Sequence, residues 1–221
     1  MNKLKLQKLR ETFFPKKNFG LRMLLLLLGI TGMGFSMSLL LKVRFGGDPY
    51  TVLMNAVAER TGFPIGNTCA LFNMATFLAV LPAGIGYFGF GTLANMFLFG
   101  YSLQFFNWAM AGILPESMFR TMPVRVTAFI PAFVLFILST SLYMVVRLGT
   151  SPYDAVPILV ARRIKKIPFR LVRMAFDFLM VLIGFLMGGK VGIFTLTMPL
   201  FLGPVISLMG NRINARWHLS D

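Results

Sequence analysis

Six apolar runs, around 23 to 41, 68 to 83, 90 to 113, 126 to 146, 171 to 187 and 191 to 209, alternate with shorter charged or glycine- and proline-bearing joints. Each is near the ~20 residues that a helix needs to cross ~30 Å of hydrocarbon, so the pattern predicts six membrane-spanning helices. Two further stretches, 50 to 60 (YTVLMNAVAER) and 153 to 163 (YDAVPILVARR), follow the first and fourth runs. They are too short to span and end in charge.

The polar punctuation repeats. Shifted by 103 residues without gaps, Arg22 falls on Arg125, Ser36 and Ser38 on Ser139 and Ser141, and Arg44, Gly46, Pro49 and Tyr50 on Arg147, Gly149, Pro152 and Tyr153. Farther on, Arg60 matches Arg163, and Gly86, Gly89, Thr92 and Gly100 match Gly189, Gly192, Thr195 and Gly203. Shared hydrophobicity can align leucines, but it does not align arginines, prolines, glycines and tyrosines in one register. The chain therefore reads as a duplication. Three spans per half is an odd number, so the second copy enters the membrane from the opposite face. The expected fold class is an all-α membrane protein of six transmembrane helices arranged as two inverted three-helix repeats, each with a short amphipathic or re-entrant helix after its first span. The organisation expected is a basic surface segment (1–19), repeat 1 (20–113), repeat 2 (123–210) and a tail (211–221).

After Arg44 and Arg147 the helical pattern breaks at Gly46-Gly47 and Gly149-Thr150. Asp48-Pro49-Tyr50-Thr51 and Ser151-Pro152-Tyr153-Asp154 then read as helix starts, with a capping oxygen at Asp48 or Ser151 and proline where its missing N–H loses nothing. The two short helices either lie flat at the membrane surface or dip inward. If they dip, their N-termini bring partial positive charge and free donors to the centre, which suits an anionic group.

Asp177 lies about three turns into the fifth run, where a carboxylate costs ~2.5–3.5 kcal/mol on insertion scales. It should face the interior, with Arg173 one turn earlier on the same face. An intrahelical ion pair and a coupling-ion site both fit. Asn73, one position from the repeat equivalent of Asp177, is the candidate contribution from the other half. Glycine-rich starts precede the third span of each half, with Thr92 and Asn95 in one and Thr195 and Thr197 in the other; Pro199 and Pro204 interrupt the last span. Close helix packing explains those glycines, and a kinked or discontinuous element is the alternative. Asp48, Tyr50, Asn73, Thr92, Asn95, Ser151, Tyr153, Asp154, Thr195 and Thr197 are thus the candidate solute-binding residues. Asp177, Arg173, Arg44 and Arg147 are the candidate coupling or gating residues, the last two also fitting as snorkelling anchors.

The mean hydropathy of +0.75 and a charged fraction of 13%, against roughly 25% in soluble domains, agree with a membrane protein. A net charge of +15 raises the question of nucleic acid, but the basic residues flank apolar runs instead of interleaving with aromatics on a polar face. With the N-terminus inside, sixteen Lys and Arg fall on the inner side and six on the outer. That bias predicts cytoplasmic termini, an inner face against anionic lipid and no nucleic-acid partner. Residues 1–19 fit either a surface-lying segment or a plain basic tail. The first run is too long for a signal-peptide core and no small-residue cleavage site follows it. Lone Cys69 excludes an intramolecular disulfide. One histidine, one cysteine and seven scattered acids offer no metal cluster or nucleophile–base pair, so neither an enzyme nor a metal or other cofactor is expected.

The G-x-D/S-P-Y motif with its amphipathic sequel, TGFPIGN at 61–67, GFGTLANMFLFG at 89–100 and FRLVRMAFDFLMVLIGFLMGGKVGIFTL at 169–196 resemble the YitT/YczE group of bacterial integral membrane proteins. The second copy departs from the first, with IKKIPFR where TGFPIGN stands. The resemblance implies a bacterial cytoplasmic membrane protein and brings no substrate or catalytic residue.

Two functions follow. One is a secondary transporter or exporter of a small anionic or amphipathic solute, working by alternating access of inverted repeats. The other is a non-transporting scaffold, lipid-binding or flippase-type protein. A homo-oligomer fits either.

Overall fold

The structure is a computed structural model that describes residues 18–196 and 198. Within them lie seven α-helices: α1 (Phe19–Val43), α2 (Pro49–Thr61), α3 (Ile65–Gly84), α4 (Phe90–Ile113), α5 (Met122–Val145), α6 (Pro152–Ile164) and α7 (Phe169–Leu186). A further helical segment starts at 193. The protein is nearly all helical. Thr197, most of the sixth apolar run and most of the basic N-terminal segment lie outside the described residues.

Among the described residues, three helices are long and apolar enough to cross a membrane: α1, α3 with the turn that extends it to Tyr87, and α5. The other two long helices fall short for identifiable reasons. Asn95, Gln104 and Asn107 dilute α4, and Arg170, Arg173 and Asp177 charge α7. Both still expose apolar faces, with Leu93, Phe97, Tyr101, Phe105 and Trp108 on α4 and Phe178, Leu182 and Phe185 on α7.

The 103-residue register reappears in the backbone. Helices α1 and α5 start at 19 and 122, and α2 and α6 start at 49 and 152. Arg44 and Arg147 both take left-handed geometry (φ 60° and 51°), as do Gly46 and Gly149 (φ 97° and 123°). A side chain at Gly149 would be strained by its φ and would also set a Cβ 2.6 Å from the backbone N of Gly89. Glycine is therefore required at this turn.

Hydrogen bonds recur in the same register, each made across the two halves. The Arg22 guanidinium donates to the carbonyl of Val146 (3.1 Å), and that of Arg125 donates to the carbonyl of Val43 (2.7 Å). Each arginine stands near the start of one long helix and reaches the end of the other, so α1 and α5 run antiparallel. The Thr92 hydroxyl donates to Thr150 O (2.8 Å) while accepting from Gly89 N (3.1 Å). Likewise, the Thr195 hydroxyl donates to Gly47 O (2.8 Å) and accepts from Gly192 N (3.3 Å). Gly91 N–H donates to Leu148 O (2.7 Å), and Phe194 N–H to Phe45 O (3.1 Å). Packing is exchanged too: α2 lies against α7, and α3 against α6.

The two short helices do not lie flat on a surface. Pro49 to Met54 of α2, and Pro152, Tyr153, Ala155 and Pro157 of α6, are buried, whereas the C-terminal turns reach the exterior. Each helix thus points its capped N-terminus at the centre of the protein. Burial of the apolar first turns drives this placement, and the terminal charges at Arg60, Arg162 and Arg163 keep the other ends outside.

Candidate functional site

The inward ends of α2 and α6 meet. The rings of Tyr50 and Tyr153 stand edge to face, with centroids 5.2 Å apart. Asp48 caps α2 by accepting from Thr51 N–H (3.3 Å), and Ser151 caps α6 by accepting from Asp154 N–H (3.1 Å). The Ser151 hydroxyl also donates to Asp154 Oδ2 (2.7 Å).

Beside the tyrosine pair lies a cavity of about 100 Å³. Nine of the fourteen sequence candidates line it: Asp48, Tyr50, Asn73, Asn95, Ser151, Tyr153, Asp154, Arg173 and Asp177. The remaining wall is apolar or hydroxylic and includes Met33, Phe99, Phe136, Thr140 and Tyr143. Sequence reasoning did not single out these residues. Tyr143 and Phe136 sit on α5 among many aromatics, and no repeat or motif distinguishes them.

The two sides of the cavity carry different chemistry. On the second-repeat side, Arg173 pairs with Asp154 Oδ1 (2.5 Å) and Asp177 Oδ2 (3.0 Å). Asp177 Oδ1 accepts from the Tyr153 hydroxyl (2.7 Å), and the guanidinium stands 5.2 Å from the centre of the Tyr153 ring. The Asp177–Arg173 pair expected from their spacing is thus one arm of a larger network. On the first-repeat side, Asn73 Nδ2 donates to the Tyr50 hydroxyl (2.9 Å). The Asn73 Oδ1 is buried and has no donor.

Five candidates lie elsewhere. Thr92 and Thr195 stitch the glycine turns together as described above, which is a backbone task away from the cavity wall. Thr197 lies outside the described residues. Arg44 and Arg147 are exposed and line two clefts, of about 630 Å³ and about 510 Å³ respectively. The clefts correspond in register through Leu41 and Met144, Gly46 and Gly149, and Gly189 and Gly86. The Arg147 cleft shares Tyr143, Met144, Asp154 and Arg173 with the central cavity, whereas the Arg44 cleft shares no lining residue with it. The cross-half clamps Arg22 and Arg125 carry no functional assignment from the sequence, although their alignment in the repeat was the signal.

Helix α4 runs unbroken from Phe90 to Ile113, so the glycine-rich start serves close packing in the first repeat. Among the described residues no group of His, Cys, Asp and Glu is arranged to hold a metal ion.

The profile of a family of unknown function, DUF6198, matches residues 20–211. The chain belongs to that family. An uncharacterized protein of Haemophilus influenzae is 28% identical over 195 residues, covering 88% of this chain and 86% of the relative. No solved structure matches. The matched segment takes in both halves of the chain and every described residue of the cavity wall, so the site belongs to the part of the chain that the family shares.

Proposed function

We propose that this DUF6198 protein is a bacterial inner-membrane transporter. In this reading six spans form two inverted three-helix repeats, and a small solute binds in the central cavity and crosses by alternating access. The YitT/YczE resemblance extends the proposal to a wider kinship. Both termini are cytoplasmic, as the Lys and Arg distribution suggests, and the protein is not an enzyme.

One observation carries the proposal: two register-matched clefts accompany a central cavity, and of the two only the Arg147 cleft shares lining with it among the described residues. Two homologous units that exchange equivalent hydrogen bonds have two packings of similar energy available, and swapping them would join the cavity to the Arg44 cleft instead. Arg147 falls on the cytoplasmic side in this topology, so the conformation corresponds to the inward-facing state. Half-helices that end at mid-depth are tolerated where protein covers them, as it does at Tyr50 and Tyr153. The outward apolar faces of α4 and α7 support their counting as spans.

Two measurements test the proposal. Single cysteines at Thr61 and Lys166, in a Cys69→Ala background, should react with a membrane-impermeant maleimide from opposite sides of the membrane; reaction from the same side overturns the inverted arrangement. A cysteine pair that cross-links the Arg147 cleft should stop solute flux in proteoliposomes, and reduction should restore it. Intact cellular activity in the cross-linked protein would favour the scaffold or lipid-binding alternative.

A further inference from the structure

Helix N-termini aimed at a cavity suggest an anionic ligand, but the charges on this wall oppose that sign. Asp48, Asp154 and Asp177 face one cation, Arg173. Each short helix already has a carboxylate at its positive end, Asp48 at the cap of α2 and Asp154 in the first turn of α6. Two helix ends supply about one positive charge together. With the three acids ionised, about one unit of negative charge remains unmatched.

That surplus has a location. Arg173 is engaged by Asp154 and Asp177, and among the described residues no cationic group forms an ion pair with Asp48, whose carboxylate accepts a 3.3 Å bond from its own helix. Asn73 lines the same cavity and carries a second acceptor that has no donor among the described residues. Asn73 is 2% exposed, and its Oδ1 has no partner although its Nδ2 is fixed on the Tyr50 hydroxyl. A buried carbonyl without a donor costs ~1–3 kcal/mol, and a ligand bearing N–H groups would relieve that cost. The surrounding rings of Tyr50, Phe99 and Phe136 offer aromatic surface, which favours a weakly hydrated organic cation over a tightly hydrated metal ion. The volume, about 100 Å³, is about that of three waters, so it admits a ligand of a few non-hydrogen atoms.

We infer that the central cavity binds a small organic cation of the alkylammonium or guanidinium class, with the Asp48 carboxylate as its counter-ion and Asn73 Oδ1 as a hydrogen-bond acceptor. This deepens the transport proposal by naming the solute class, and it rests on the same cavity being the solute site.

The test uses the purified full-length protein in detergent, titrated calorimetrically with millimolar methylammonium and guanidinium chloride at constant ionic strength. Sodium chloride, inorganic phosphate and tetraethylammonium chloride serve as comparisons. Saturable binding of the two small cations is expected, with tetraethylammonium excluded by size. Asp48→Asn should weaken binding at least about tenfold, the loss of one ion pair. Asn73→Leu should weaken it by a smaller factor, and Asp48→Glu should retain it. Should Asp48→Asn fail to fold, the Asn73→Leu and Asp48→Glu pair still decides. No saturable cation binding by the native protein, equal binding in Asn73→Leu and Asp48→Asn, or saturable phosphate binding would each overturn the inference. Flux in proteoliposomes separates the two proposals. Cation binding without flux retains the site and refutes transport, whereas flux of an anion that is indifferent to Asp48→Asn retains transport and refutes the cation site.

Discussion

Asp48 caps the first short helix with a carboxylate that forms no ion pair among the described residues, whereas Ser151 caps the second beside a guanidinium held by two carboxylates. Around these caps the two halves use the same backbone: the same left-handed arginine, the same glycine turn, the same proline and tyrosine. The repeat equivalents of Asp154, Arg173 and Asp177 are Thr51, Ala70 and Met74, and that of Asn73 is Phe176. The backbone geometry is thus the same in both halves while the side chains of the cavity wall differ, so geometry and charge are carried by separate sets of residues. Symmetric turns hold the halves together, and asymmetric side chains give the site its sign.

The sharpest way to break this comparison is Arg173→Ala. It strips the described cavity wall of its cation and leaves Asp154 and Asp177 facing each other, at a cost of about 3 kcal/mol because breaking a largely buried pair leaves uncompensated charge. Thermal unfolding in detergent measures it, and adding Asp177→Asn should recover part of the loss. An unchanged melting temperature in Arg173→Ala would mean that the network does not hold the second half.

Next come the glycine turns, where the halves should respond alike. Gly149→Ala and Gly46→Ala each force a side chain into a left-handed turn against backbone, at 2.6 Å from Gly89 N and 2.7 Å from Gly192 N. Each should cost about 2 kcal/mol. If one were silent, the two turns would not be equivalent supports.

The tyrosines sharpen the contrast at smaller scale. Tyr153→Phe removes a bond to a carboxylate and should cost about 2 kcal/mol, while Tyr50→Phe removes bonds to neutral groups only, from Asn73 Nδ2 (2.9 Å) and to Cys69 O (3.4 Å), and should cost about 1 kcal/mol. Equal losses would argue that Asp177 is not ionised beside Tyr153. Smallest are Thr92→Val and Thr195→Val, at about 1 kcal/mol each. They touch separate turns, so a double mutant should show additive loss in the same unfolding measurement.

Much of this was legible in the chain. Asp48 and Ser151 as caps, the prolines at the first helical position, and the Arg173–Asp177 pair all follow from short-range rules, because their partners lie within one helical turn. The short helices were harder to place. A flat surface position and an inward one present the same amphipathic pattern, and only the burial of Pro49 to Met54 against α7, and of Pro152, Tyr153, Ala155 and Pro157 against α3, separates them. Asp154 is a solute-binding candidate from the sequence, and its tie to Arg173 nineteen residues away crosses from α6 to α7. The reach of Arg22 to Val146 crosses 124 residues.

The helices and the doubled register can be read along the chain, because hydrophobic periodicity, capping and proline or glycine geometry are local properties. That both short helices end at one cavity, that each half completes the other's turns, and that the described wall around Asp48 holds three acids against one base came from packing alone. Those are sums over residues brought together by packing, and no single stretch of chain contains them.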